Sequence, residues 1–137
     1  MLDVERRILD IDKTLCENID LMDFQNVTRA LVSQNLLSQS RNLIEHIAVR
    51  AYSEGKDVQV KWDTINAGLD YIKHNGKYLF LRKFHNFLQE SKSHYTPDAE
   101  GAERLMLKYY QYFVMIRGFV KDEYGLEILH NLEKFPT

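Results

Sequence analysis

Residues 36–53 read LLSQSRNLIEHIAVRAYS, and this stretch decides the class of fold. Its apolar residues recur at spacings of three and four, the period at which side chains share one face of an α-helix. With the residues just upstream included, the apolar positions are Val27, Leu31, Leu36, Leu43, Ile44, Ile47 and Ala48. They predict a long amphipathic helix that begins at Asp20 or Asp23 and ends near Ser53. Gly55 supplies the stop, because glycine tolerates the left-handed conformation found beyond a helix end.

Helical periodicity continues on both sides of this stretch. One further helix is predicted upstream, three are predicted downstream, and a short helix, Leu126–Leu132, is predicted at the end. Apart from the short helix at the end, these four helices are marked by the following positions, in chain order: Leu2, Arg6, Ile8, Ile11 and Leu15; Trp62, Ile65, Leu69 and Ile72; Phe80, Phe84, Phe87 and Leu88; and Leu105, Leu107, Tyr109, Tyr112, Phe113 and Ile116. Turn and capping signals separate them at Asn75-Gly76, at Thr96-Pro97-Asp98 and at Gly125. The sequence therefore predicts an all-α fold, an up-and-down bundle of four main helices plus short extra helices.

Length, charge and cysteine content exclude several classes of protein. The 137 residues predict a single domain with enough chain to bury a core. A formal net charge of -2 excludes a strongly basic nucleic-acid coat, so any RNA contact must use a local patch, and DNA is not expected as a partner. The one cysteine, Cys16, excludes a disulfide framework and suits a reducing cytoplasm. No signal peptide or membrane-spanning stretch is visible, so we expect a cytoplasmic protein without a membrane partner.

The end of the chain and its aromatic residues each permit two interpretations. The abrupt end at Lys134–Thr137 is compatible with the N-terminal part of a longer protein. Aromatic residues crowd the fifth predicted helix and point in several directions on a helical wheel: Tyr109, Tyr110, Tyr112, Phe113 and Phe119. They either fill a thick bundle core or form a dimer interface, where Tyr and Phe are enriched. For Trp62, Tyr71 and Tyr78 a place in the core is expected rather than a base-stacking platform.

Most catalytic signatures are missing from the chain. It contains no phosphate-binding glycine loop, no nucleophile elbow and no zinc-binding HExxH helix. No pair of histidines has a metal-binding spacing, so neither a metal nor another cofactor is expected. The constellation that remains is RNLIEH, Arg41 to His46, in the middle of the long second helix.

The chemistry of RNLIEH suits the cleavage of RNA without a metal ion, because the 2′-OH of RNA can itself attack the adjacent phosphorus. Arg41 and His46 are five positions apart, about 140° around the helix and about 7.5 Å along it, so they flank one sector in which both could reach a phosphate. Histidine can transfer protons near neutral pH, and arginine binds two phosphate oxygens at once. Asn42 is placed to orient a neighbouring residue or ligand. A two-fold dimer would bring two such pairs into one groove.

RNLIEH resembles the R-x4–6-H motif of the HEPN superfamily, including the polar residue that often follows the arginine. The predicted bundle over residues 1–137 and the position of the motif in a long internal helix also resemble that superfamily. The resemblance implies a homodimeric, metal-independent endoribonuclease with a composite site, in which Arg41 and His46 are catalytic and Asn42 is supportive. It also implies a toxin or an antiviral-defence effector, with RNA as substrate and an antitoxin or a larger defence complex as partner. Many toxin members carry Tyr two residues after the histidine, where this chain has Ala48.

Other interpretations of these residues stay open. Arg41 and Glu45 are spaced to form an ordinary salt bridge, and His46 could be a partly buried helix residue. The chain would then be a non-catalytic helical dimerisation or interaction module of a larger defence or signalling protein. That module is favoured if Arg41 pairs only with Glu45 and His46 points into a packed core; a small-molecule or nucleotide-binding bundle is a third option. A second basic cluster, Arg82-Lys83-x-His85, is interpreted as a solvated helix face in preference to a contact for RNA phosphates.

Overall fold

The computed structural model describes residues 1–21, 37–93 and 99–126. Within these ranges the chain forms five α-helices, one turn of 3-10 helix and no β-strand. They are α1 (Asp3–Leu21), α2 (Leu37–Ser53), α3 (Trp62–Lys73), the 3-10 turn (Gly76–Tyr78), α4 (Leu79–Ser93) and α5 (Ala99–Tyr124). The prediction of an all-α fold is confirmed. Among the described helices, none is long and apolar enough to cross a bilayer.

Left-handed backbone stops two of the helices where the sequence predicts it. α2 ends at Ser53, and Glu54 and Gly55 follow with φ of 52° and 87°. α5 ends at Tyr124, and Gly125 follows with φ of 65°. Glycine enters this region readily because it has no Cβ atom to collide with the backbone. The predicted stops at Gly55 and Gly125 are therefore confirmed.

The predicted start of the second helix at Asp20 is wrong. α1 continues through Asp20 to Leu21, because no glycine or proline interrupts it. The alternative start at Asp23 lies outside the described residues. So do the predicted boundary at Thr96-Pro97-Asp98 and the predicted short helix beyond Leu126.

α2 is the central helix of the molecule. It packs against α1, α3 and α4, and α4 in turn packs against α5. The buried positions of α2 cover more than one of its faces, as in a helix that is enclosed on several sides. They are Ser40, Leu43, Ile44, His46, Ile47, Ala48, Val49, Ala51 and Ser53. The RNLIEH motif is therefore built into the core helix and not onto a peripheral element.

A single glycine allows α3 to pack closely on α2. A Cβ atom at Gly68 would lie 2.7 Å from the carbonyl carbon of Ala48 and 2.8 Å from the backbone nitrogen of Val49. Real side chains do not make contacts this short, so only glycine lets the two backbones approach so closely. This crossing places α3 over the part of α2 that directly follows RNLIEH.

The described aromatic side chains of α5 lie in or against the core: Tyr124 and three members of the predicted aromatic cluster, Tyr112, Phe113 and Phe119. Tyr112 stacks on Phe84 of α4 with the ring centroids 4.8 Å apart, and Phe119 packs against Phe80 at 4.9 Å. For these three residues the core interpretation is confirmed. Tyr109 and Tyr110 lie outside the described side chains.

Trp62 contradicts the expectation of a core position, because 73% of its surface is exposed. Helical side chains lean toward the N-terminus of their helix. Trp62 is the first residue of α3, so no preceding helical turn lies there to cover the indole. Tyr71 is partly buried and Tyr78 is buried, as expected.

Two ion pairs of low exposure connect α1 to distant parts of the chain. Glu5 Oε2 lies 3.0 Å from Nε of Arg50 on α2, and Asp12 Oδ1 lies 3.2 Å from Nε of Arg117 on α5. The guanidinium of Arg50 also lies 4.2 Å from the ring centroid of Tyr124, at the end of α5. Charges are costly to bury unless they are paired. These pairs therefore favour one position of α1 along α2 and α5.

Candidate functional site

The RNLIEH motif exposes a narrow polar strip of α2. Leu43 and Ile44 are buried in the core, whereas Arg41 is exposed and Asn42 and Glu45 are partly exposed. Ser38, one turn before Arg41, continues the strip toward the start of the helix and is also exposed. The 3.6-residue period of the helix produces this division, because residues three and four apart lie on one side.

Arg41 makes the salt bridge that its spacing permits. Its Nε lies 3.2 Å from Oε1 of Glu45, and the two side chains are 47% and 18% exposed. An ion pair that is open to solvent in this way contributes about 0–1 kcal/mol to stability. The guanidinium can therefore exchange the Glu45 carboxylate for a phosphate at little cost.

His46 is almost enclosed, since only 7% of its surface is exposed. Its Nδ1 lies 2.8 Å from the backbone carbonyl oxygen of Asn42, one turn earlier in α2. A carbonyl oxygen only accepts hydrogen bonds, so Nδ1 must carry the proton and donate it. In the neutral ring Nε2 is then the nitrogen with the free electron pair.

Burial is the main influence on the protonation of His46, and it lowers the pKa of the ring below its usual value of 6.5. The hydrogen bond to Asn42 acts in the opposite direction without outweighing burial. Of the nearby charges, Arg7 lowers this pKa, and Glu45 and Asp3 raise it. The ring is consequently neutral at physiological pH, with Nε2 able to accept a proton.

Within one chain, Arg41 and His46 interact electrostatically with different residues. The charges that act on His46 include those of Asp3 and Arg7 on α1. The charge of Arg41 acts instead on His85 of α4, where it and burial, the larger cause, both lower the pKa of the imidazole. The charge of Glu45 raises the pKa of both histidines. Within one chain the charges of the motif therefore act on two separate imidazoles.

A cleft between α3 and α4 brings in residues that sequence reasoning did not assign to a site. It has a volume of about 490 Å³, and its wall includes Lys73, Arg82, Lys83 and His85. The spacing of Arg82-Lys83-x-His85 is visible in the sequence. The addition of Lys73 from α3, and the proximity of His85 to Arg41, depend on how the helices pack. No sequence signal could have identified them.

No protein-family model matches this chain, and searches of curated proteins and of solved structures found no match. What the site can do is therefore inferred from its own residues. Arg41 offers an exposed fork of N–H donors, and His46 offers an unprotonated ring nitrogen. These two groups carry the functional inference that follows.

Proposed function

We propose that this chain is a metal-independent endoribonuclease of the HEPN type. It acts as a homodimer, and Arg41 and His46 of both copies form one composite site with Asn42 in support. The observation that carries the proposal is the state of His46, whose Nδ1–H is held by the Asn42 carbonyl. A neutral imidazole with its free electron pair at Nε2 is the general base that RNA cleavage requires.

The chemistry follows from these two side chains. Nε2 of His46 removes the proton from a ribose 2′-OH, and the 2′-oxygen attacks the adjacent phosphorus. The P–O5′ bond breaks, and the 5′-oxygen leaves with a proton returned by an imidazolium. The products are a 2′,3′-cyclic phosphate and a 5′-hydroxyl. Arg41 binds the non-bridging oxygens and stabilises the negative charge that they gain in the transition state.

A second copy of the chain supplies what one copy lacks. Within one chain the charge of Arg41 acts on His85 of α4, and charges of Asp3 and Arg7 on α1 act on His46. The composite site requires a two-fold axis along the exposed strip of Ser38, Arg41 and Asn42 that brings the Arg41 of each copy to the His46 of the other. The guanidinium would leave Glu45 for the phosphate, which the weak salt bridge permits.

Asn42 supports the site through its backbone. Its carbonyl oxygen, not its side-chain amide, accepts the hydrogen bond from His46. Asn42→Ala keeps that carbonyl, so we expect this change to reduce cleavage less than a change at Arg41 or His46.

Cleavage of single-stranded RNA in the presence of EDTA tests the proposal. We expect His46→Ala to lower the rate about 10²–10⁴-fold, the usual loss when a positioned acid or base is removed. His74→Ala is a matched control, because His74 Nδ1 bonds the carbonyl of Asp70 in the same way but on an exposed surface. Arg41→Lys should restore only part of the activity lost in Arg41→Ala, because an ammonium group lacks the planar two-donor fork.

Thermal melting of each variant separates catalysis from folding. His46→Gln accompanies His46→Ala, because a polar side chain of similar reach fills more of the buried site. Full activity in folded His46→Ala would refute the catalytic role of His46. Activity that EDTA abolishes and a divalent ion restores would refute the metal-independent mechanism.

A second candidate function is favoured by a specific observation. His46 is nearly buried and Arg41 is paired with Glu45, which is the arrangement expected of a non-catalytic helical interaction module. Such a module would serve a larger defence or signalling protein. Its signature is a stable dimer that cleaves no RNA with or without metal. If the chain is the nuclease, we propose that it acts as a toxin or an antiviral-defence effector. Its partner would then be an antitoxin or a larger defence complex.

A further inference from the structure

Two cavities lie on opposite sides of α4, and they share Leu79 and Lys83. The first, of about 490 Å³, lies between α3 and α4. The second, of about 520 Å³, lies between α4 and α5. Lys83 therefore stands on the ridge of α4 between the two cavities, within reach of both. We call the two cavities together the α4 groove.

The α4 groove gathers positive charge on a chain whose net charge is negative. Five cationic side chains stand in its described walls: Lys73, Arg82 and Lys83 in the first cavity, and Lys77, Lys83 and Lys108 in the second. One carboxylate, Asp70, stands among the described wall residues and offsets part of this charge. The excess of cations favours an anionic occupant.

Part of this charge is not neutralised by other residues in the described part of the chain. Lys77 binds Glu123 at 2.6 Å, and Lys108 lies 5.3 Å from the ring centroid of Phe87. In the described part of the chain, Lys73 and Lys83 form no ion pair. These two ammonium groups remain available for a ligand.

Arg82 is held at the wall of the first cavity with donor capacity left over. Its Nη1 donates to the carbonyl oxygen of Lys73, 2.9 Å away at the end of α3. Its Nε is buried and has no hydrogen-bond partner among the described residues. The guanidinium is thus held by the Lys73 carbonyl, and the donors left for an anion are N–H groups on its Nη nitrogens.

Aromatic rings accompany the lysines in the second cavity. Phe80 and Tyr112 line it, and their rings pack in the core, Phe80 on Phe119 and Tyr112 on Phe84 and Phe87. The lysines beside them follow the groove, and positive charge that follows a groove binds the backbone of single-stranded nucleic acid. A lone phosphate would occupy one cavity, whereas a strand can place successive phosphates on both sides of Lys83.

We propose that the α4 groove binds the sugar–phosphate backbone of single-stranded RNA, with Lys73 and Lys83 as its principal phosphate contacts. The choice of RNA among polyanions rests on the proposed nuclease function. The groove lies beside the catalytic motif, since His85 in its wall belongs to α4, which packs against α2. It would hold the strand next to the bond that is cut.

Fluorescence anisotropy of a labelled RNA of about 12 nucleotides, within the range of single-strand site sizes, tests the groove. The whole chain is used with His46→Ala, so that the RNA is not cut. We expect Lys73→Gln with Lys83→Gln to weaken binding about tenfold, and to make the slope of log affinity against log salt shallower by about 0.7 for each phosphate that is no longer neutralised. Lys13→Gln with Lys56→Gln removes the same charge from exposed positions outside the groove and should change the affinity less than about twofold.

The outcomes separate the groove from the nuclease. Equal weakening by both double variants, or no weakening by either, overturns the groove. Groove-dependent binding by a chain that cleaves no RNA supports the groove and overturns the nuclease. Cleavage with an unchanged KM in the Lys73→Gln, Lys83→Gln variant supports the nuclease and overturns the groove. A wild-type chain that neither binds nor cleaves RNA overturns both.

Discussion

At the scale of the residue, His46 combines burial with a defined tautomer. The ring is nearly enclosed by the core, yet one of its nitrogens carries a free electron pair in the neutral state. The hydrogen bond to the Asn42 carbonyl decides which nitrogen that is. A backbone acceptor cannot rotate away, so the tautomer is set by the helix itself.

The lowered pKa of His46 predicts how stability depends on pH. The folded ring binds a proton less tightly than the unfolded one, whose pKa is near 6.5, so stability should be complete above about pH 6.5 and decrease as the pH falls below it. His85, whose pKa is also lowered by burial, contributes in the same direction. Urea unfolding between about pH 5 and 8 measures this.

Substitution of His46 tests whether its imidazole causes the pH dependence of stability. His46→Gln should flatten the decrease of the free energy of unfolding below about pH 6.5, because its side chain cannot be protonated. His46→Gln combined with His85→Gln should flatten it further, because burial lowers the pKa of both rings. A His46→Gln profile parallel to that of the wild type would contradict the effect of burial. Both variants keep the charges of Asp3, Arg7 and Glu45, so a changed pH profile comes from the loss of the imidazole.

At the scale of the element, the crossing of α3 over α2 depends on one missing methyl group. Gly68 faces the backbone of Ala48 and Val49, which cannot rotate away as a flexible side chain could. Gly118 on α5 is a matched position, because it also lies inside a helix but has open space where a Cβ atom would be. Comparing substitutions at these two glycines distinguishes the effect of close helix packing from the effect of helix propensity.

Gly68→Ala and Gly118→Ala should change stability in opposite directions. The first forces two helices apart and should destabilise by about 1–3 kcal/mol, the range for overpacked cores. The second replaces a helical glycine without a clash and should stabilise by about 0.5–1 kcal/mol. Chemical denaturation measures both. A neutral or stabilising Gly68→Ala would show that α3 can lie farther from α2 than the structure places it.

At the scale of the whole molecule, α2 has a limited surface left for a second copy. α1, α3 and α4 enclose most of it and leave the strip with Ser38 and Arg41 accessible. A two-fold interface must therefore use this strip together with neighbouring helices. In such an interface every substitution occurs twice, once on each side of the axis.

If the chain is a homodimer that uses this strip, a charged residue at Ser38 should weaken it. Light scattering should give twice the mass of the chain at micromolar concentration. Ser38→Arg should raise the dimer dissociation constant about tenfold, because two like charges would face each other across the axis. Asn66→Arg, at an exposed position on α3, is the matched control and should leave the dimer intact. A monomeric wild-type chain would contradict the composite site.

Local sequence was sufficient to predict the helices and several of their ends. The apolar period of α2 and the stops at Gly55 and Gly125 are properties of short segments, so they can be recognised without knowledge of the rest of the chain. The error at Asp20 has the same origin. A good capping residue marks a helix start only if the preceding helix has ended, and nothing local ended α1.

The candidate site was predictable as a set of residue types and not as an arrangement. The i, i+4 salt bridge of Arg41 with Glu45 was one of two interpretations of a local spacing. The burial of His46 and the distant charges that act on it and on His85 were not predictable, since they depend on how α1 and α4 pack on α2.

The sequence by itself determined an all-α protein and one helix with an arginine–histidine motif, because helix formation and side-chain chemistry are local properties. Only the tertiary structure decided that α2 is central, that Trp62 is exposed, and that cations from α3, α4 and α5 line the two cavities of the α4 groove. The reason is physical. Burial, pKa and the convergence of charges depend on which helix faces cover one another, and that choice is made by contacts between residues distant in sequence, such as Gly68 against Ala48.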